Sequence, residues 1–102
     1  MKFYDYELDV VKNHPEYFDA VEIHGVYEDD QGNCEPTSER ADVSFYSVYV
    51  HYGEAGNKAQ NYGVECVADF SDHKDAVQYA NELAAQLGIS EPDDYSPVEV
   101  AS

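Results

Sequence analysis

The sequence predicts an α+β fold: an antiparallel sheet of three to four strands with a C-terminal helix packed on one face. Three observations predict it. Segments in which apolar and polar residues alternate recur through residues 2–70. One strong helical stripe follows them. No helix-length segment separates the strands, so the connections favour antiparallel pairing with the helix laid across the sheet.

The elements follow in order. In residues 2–11, Tyr4, Tyr6, Leu8 and Val10 alternate with Asp5, Glu7 and Asp9, the period of a half-buried strand. Phe3, Tyr6, Val10 and Val11 also fit a short helix, and the strand is preferred. Asn13-His14-Pro15 breaks the pattern, and residues 15–18 suit a helical turn. Residues 20–28 read as a second strand, with Val21, Ile23 and Tyr27 on one side and Gly25 marking a bulge or close approach. Residues 29–41 are rich in turn formers and read as a long loop. Strand three spans residues 42–52 and is the most β-prone segment, with Tyr46 and Tyr52 expected among residues lining an exposed sheet face. A loop over residues 53–59 leads to strand four, residues 60–70. There Tyr62, Val64, Cys66, Ala68 and Phe70 share one side.

The helix is the clearest element. Ser71 or Asp72 suits its N-cap, and Asp75 sits in the first turn, where the helix dipole favours an acid. Ala76, Val77, Ala80, Leu83, Ala84 and Leu87 form one apolar stripe. Gly88 is placed to end the helix, with Ile89 packing back beneath it. Residues 1–89 thus form one domain, and residues 90–102 read as a loose acidic tail.

At 102 residues with a 43% hydrophobic fraction, the chain can bury one modest core. Charge is its outlying property: 22 Asp and Glu against five Lys and Arg give a net charge of -17. Self-repulsion of that size opposes compaction. Halophilic adaptation and solubility are the plain explanations, and a strongly basic partner is the sharper one. Direct binding to nucleic acid or to an anionic membrane is not expected, since both need Lys and Arg. No apolar run approaches transmembrane length, and the acidic start lacks a signal-peptide core, so a cytoplasmic setting is expected, in a host cell. Cys34 and Cys66 are then read as reduced thiols.

No catalytic or metal motif emerges. His14, His24, His51 and His73 form no ligand pattern, and neither His-Glu-x-x-His nor Cys-x-x-Cys occurs. The run Glu28-Asp29-Asp30-Gln31-Gly32 puts glycine where a calcium loop needs a side-chain ligand. Gly-x-Ser-x-Gly is absent, and Asp69-Phe70-Ser71-Asp72 before the helix would repel a phosphate. The expectation is a non-enzyme without cofactor, metal or catalytic residue.

The distribution of charge remains. Asp5, Glu7 and Asp9 would project from one strand face at about 7 Å intervals, like a phosphate backbone. A second group is Glu28, Asp29, Asp30, Glu35, Glu39 and Asp42; a third is Asp69, Asp72 and Asp75. These twelve are the candidate partner-binding residues. Glu91, Asp93, Asp94 and Glu99 in the tail form a fourth group. The net charge equals that of roughly 30 Å of duplex DNA.

Three stretches carry a resemblance: Phe45-Tyr46-Ser47-Val48-Tyr49-Val50; Gly63-Val64-Glu65-Cys66-Val67-Ala68-Asp69-Phe70; and Asp75-Ala76-Val77-Gln78-Tyr79-Ala80-Asn81-Glu82-Leu83-Ala84. Together they resemble a ββα unit of small phage and conjugative-element proteins. Some strongly acidic members of that group are anti-CRISPR or anti-restriction inhibitors that mimic DNA. The resemblance covers roughly residues 43–87, its motifs are structural, and no functional residue carries over. It implies a setting, and the charge supplies the expected mechanism: an inhibitor that blocks the nucleic-acid-binding site of a basic partner, a CRISPR effector foremost, or a restriction enzyme or nuclease. The alternatives are an assembly module forming a homodimer and an immunity-type inhibitor of a basic nuclease toxin.

Overall fold

A computed structural model describes residues 2–5 and 8–97, with side chains described for 8–97 except Arg40. In chain order the elements are β1 (Lys2–Asp5), α1 (Asp9–Asn13), a 3-10 turn (Pro15–Tyr17), β2 (Phe18–Glu28) and β3 (Cys34–Pro36). A second 3-10 turn (Arg40–Asp42), β4 (Phe45–Tyr52), α2 (Glu54–Lys58), β5 (Val64–Phe70), α3 (His73–Gln86) and β6 (Asp93–Asp94) complete them. The fold is α+β, an antiparallel sheet with α3 against it, as the sequence predicts.

The sheet order is β1-β5-β4-β2-β3, and every neighbour along it is antiparallel. β6 runs parallel to β2, an arrangement outside the antiparallel expectation. With β4 on one edge of β2, β3 and β6 share the other edge end to end. The β2–β4 register pairs Val21 with Val50 and Ile23 with Val48. Strand alternation therefore points these four to one face, and all four are 0–1% exposed. Ala76, Ala80 and Ala84 of α3 complete that core with Tyr46, Ala68, Phe70 and Leu83. Small alanines let the helix backbone come close to the sheet, and burying each large aliphatic side chain stabilises the fold by roughly 1.5–3 kcal/mol.

α3 begins and ends as the sequence predicts. Asp72 holds the N-cap position in extended conformation, although its side chain makes no capping bond. At the other end Gly88 takes φ +75°, the left-handed region that glycine enters without strain. Its N–H donates to the Ala85 carbonyl and that of Ile89 donates to Ala84, closing a Schellman motif. Ile89 packs against the core.

Several expectations are corrected. Residues 8–13 do not extend the first strand: α1 occupies 9–13, because Leu8, Val10 and Val11 pack against the core. β1 ends at Asp5, Glu7 lies outside the described residues, and Asp9 opens a helix. Asp5 and Asp9 therefore do not lie along one strand. Tyr46 and Tyr52 are 8% and 3% exposed and belong to the core, not to an exposed face. A bulge between the Val48–Ala68 and Tyr49–Cys66 pairs moves Cys66 to the face opposite Ala68, splitting the expected side of strand four. Strand three begins at Phe45 after a 3-10 turn, and strand four begins at Val64. Residues 90–97 do not trail away as a loose tail. They pair with β2 through β6, Ser96 is buried, and Pro97 lies over Gly25, where an added Cβ would fall 2.8 Å from Pro97 Cδ.

Residues 54–58, expected in a loop, form α2 because the Gly53 N–H donates to the Tyr17 carbonyl and Gly56 seats the helix on Tyr17 and Tyr52. An added Cβ at Gly56 would lie 2.8 Å from both the Tyr17 carbonyl oxygen and Tyr52 Cδ1. Helix propensity alone favours Gly56→Ala by about 1 kcal/mol. The contact reverses the sign, and we expect a loss of about 1–3 kcal/mol in urea unfolding.

Candidate functional site

The topology determines which carboxylates meet. The last residues of β2 pair with the first of β4, Val26 with Phe45. The first residues of β4 pair with the last of β5, Tyr46 with Phe70. The β2–β3 hairpin, the second 3-10 turn and the start of α3 thus lie at one end of the sheet. Two acidic groups distant in sequence come together there. An open hollow of about 520 Å³, lined by Ala41, Val43, Ser44, Tyr46 and Ser71, lies between the second 3-10 turn and the start of α3. Glu28, Asp30, Glu35, Glu39, Asp42 and Asp72 are exposed, and Asp75 is half-buried. Asp9, at the start of α1, precedes the opposite end of β2 and is not part of this cluster.

Two of the twelve candidates have work inside the protein. Asp29 builds the hairpin turn: Oδ1 accepts the N–H groups of Gln31 (2.8 Å) and Asn33 (2.9 Å), and Oδ2 accepts Asn33 Nδ2 at 3.1 Å. The backbone N–H of Asn33 foremost, then its side chain, holds the Asp29 carboxyl below its ordinary range. Asp69 is only 7% exposed and accepts a 2.5 Å hydrogen bond from Ser47 Oγ. It faces the interior of a polar cluster, not a partner.

That cluster lies on the sheet face opposite α3. Cys66 Sγ is 3.6 Å from Asp69 Oδ1. Burial first, then the Asp69 charge and the hydrogen bond to it, push the Cys66 thiol up to about 12. Tyr49 beside it is also raised, by burial first and then by the neighbouring Cys66, while a Ser47 hydrogen bond works against the rise. Farther along, His24 stacks on Tyr95 and meets Tyr49 edge-on, each at 5.2 Å between centroids. Tyr95 is 58% exposed.

Each histidine is partnered by a carboxylate: His14 with Glu16, His24 with Glu22, His51 with Asp19, and His73 with Asp94. The last pair, at 2.7 Å, ties β6 to the start of α3. Asp94 also accepts from the Ser96 hydroxyl and from its N–H. Burial alone would raise the Asp94 carboxyl, but the bonds from Ser96 and His73 outweigh it and leave it lowered. Among the described residues no cluster of His, Cys, Asp and Glu could hold a metal ion, and no helix is long and apolar enough to cross a membrane.

Comparison with protein-family models, with curated proteins and with solved structures finds no match. The site is therefore read from its own geometry. Sequence reading located both acidic groups at this end of the sheet. It missed the polar cluster and the aromatic row, whose only signal was the opposite phase of the alternation in β2 and β4.

Two outcomes follow. Burial first, and then the Glu28 charge, raise the Cys34 thiol as well, but it is exposed, so a thiol reagent at about pH 8 should modify Cys34 before half-buried Cys66, and urea should bring the two rates together. Cys34→Ser should remove the fast phase. The lowered Asp94 carboxyl contributes stability above its ordinary value of 3.8, and that stability is lost as pH falls through the lowered value. Asp94→Asn should therefore lower the urea midpoint at about pH 5 and converge with the wild type near pH 2, the difference curve isolating this group.

Proposed function

We propose that this protein is a non-enzymatic inhibitor whose acidic surface occupies the nucleic-acid-binding site of a basic partner in place of DNA or RNA. The partner class is a host defence complex, a CRISPR effector being the one the sequence resemblance implies. One observation carries the reading. Every Asp and Glu with a described side chain, except Asp69, is at least partly exposed, and the sheet topology brings the segments that carry the groups at residues 28–42 and 72–75 to one end of the sheet. The net charge of -17 matches roughly 30 Å of duplex. The molecule has a long axis of 41 Å, enough to present that charge over a comparable span. Such a surface gives fast, salt-sensitive association with a Lys- and Arg-lined channel.

The test is retention of a nucleic-acid-processing complex from host lysate, followed by the DNA or guide-directed binding of that complex with the protein added. Inhibition that fades with salt is the expected result. A variant with Glu28→Gln, Asp30→Asn, Glu35→Gln, Glu39→Gln, Asp42→Asn and Asp72→Asn should bind about 100-fold more weakly, at about 0.5 kcal/mol per carboxylate. Asp29 and Asp69 are left intact because they hold the fold. Undiminished inhibition by a folded variant refutes the reading.

A further inference from the structure

The face opposite α3 carries a second feature that the acidic end does not explain. β6 runs along β2, with Glu22 opposite Asp93 and Ile23 opposite Asp94, and the Tyr95 N–H donates to the Ile23 carbonyl at 2.8 Å. That backbone pairing fixes Tyr95 over His24, with an interplanar angle of 22°, and Tyr49 follows at 81°. Rings from β2, β4 and the residue that follows β6 thus form one row, ending in a Tyr that is 58% exposed. Glu22 lies in the same row, its Oε1 2.9 Å from His24 Nε2. The sequences of β2, β4, β5 and β6 contain no Lys or Arg.

We propose that this row is an arginine-docking platform, on which a guanidinium of a basic protein partner stacks against Tyr95 with carboxylates nearby. The proposal rests on the inhibitor reading above and names its anchor. Charge complementarity selects the occupant: a chain of net charge -17, with cation-free strands around the rings, repels anions and draws cations. The rings then select among cations. Arginine presents a flat, weakly hydrated guanidinium that stacks on aromatic faces, whereas the lysine ammonium is compact and strongly hydrated. A Tyr with two side-chain torsions, positioned by strand pairing, loses little freedom on contact.

The experiment titrates isotope-labelled protein with oligo-arginine and oligo-lysine peptides of equal length and follows amide shifts. Oligo-arginine should bind about five- to tenfold more tightly and shift Tyr95, His24 and Tyr49. Tyr95→Ala should bring arginine binding down to the lysine level, whereas Tyr95→Phe, which keeps the ring, should retain the preference. Equal affinity for the two peptides, with shifts confined to residues 28–42 and 71–75, overturns the platform and leaves the acidic-surface reading standing. Absence of binding by either peptide overturns both.

Discussion

The packing of Ala76, Ala80 and Ala84 against Val21, Ile23, Val48 and Val50 is the contact on which the remaining structure depends. These side chains are essentially removed from water, and they must hold together a chain with a net charge of -17. Self-repulsion favours expansion, and a domain of this size has little apolar area to oppose it. The register that pairs Val21 with Val50 and Ile23 with Val48 is therefore strongly determined: a slip of one residue would turn Glu22 and His24 into the core.

Once that register is set, the positions of the charges follow. Three chain reversals must lie at the same end of the sheet, and two of the acidic groups travel with them. Neither group is assembled by a local motif. Their carboxylates remain at the surface because solvent is the only medium that holds so many at low cost. Asp69 is the exception, and it is buried only with a hydroxyl donor at 2.5 Å. The consequence is local: its charge and burial together keep the neighbouring Cys66 thiol protonated.

The second sheet face is shaped by smaller contacts. β6 is two residues long, yet it carries Tyr95 onto His24 and Asp94 onto His73, so one short pairing links the open face to the start of α3. Pro97 adds a steric fit over Gly25, a glycine whose missing Cβ makes room for the chain end. The same strand thus serves both the acidic end and the aromatic row.

Much of this was legible in the amino-acid order. The α3 stripe, its Gly88 terminus and the alternation through β2 and β4 depend on neighbours within a few residues, and local periodicity reports them directly. The acidic groups and the want of catalytic motifs are likewise properties of composition and spacing. By itself, then, the sequence determined the fold class, the helix and the excess of negative charge. Tertiary structure alone decided the rest. Residues 8–13 fit either a strand or a helix, and only the packing of Leu8, Val10 and Val11 chose the helix. Asp29 and Asp69 look like the other carboxylates in sequence; only the Asn33 turn engaged Asp29 at the surface, and only the Ser47 hydroxyl 22 positions away let Asp69 be buried. Tyr46 and Tyr95 are each followed by a serine, and which one meets water depended on a bulge-adjusted sheet and a parallel strand formed near the far end of the chain. Those choices are made by contacts between distant residues, whose energies exceed local propensity and leave no periodic trace in the sequence.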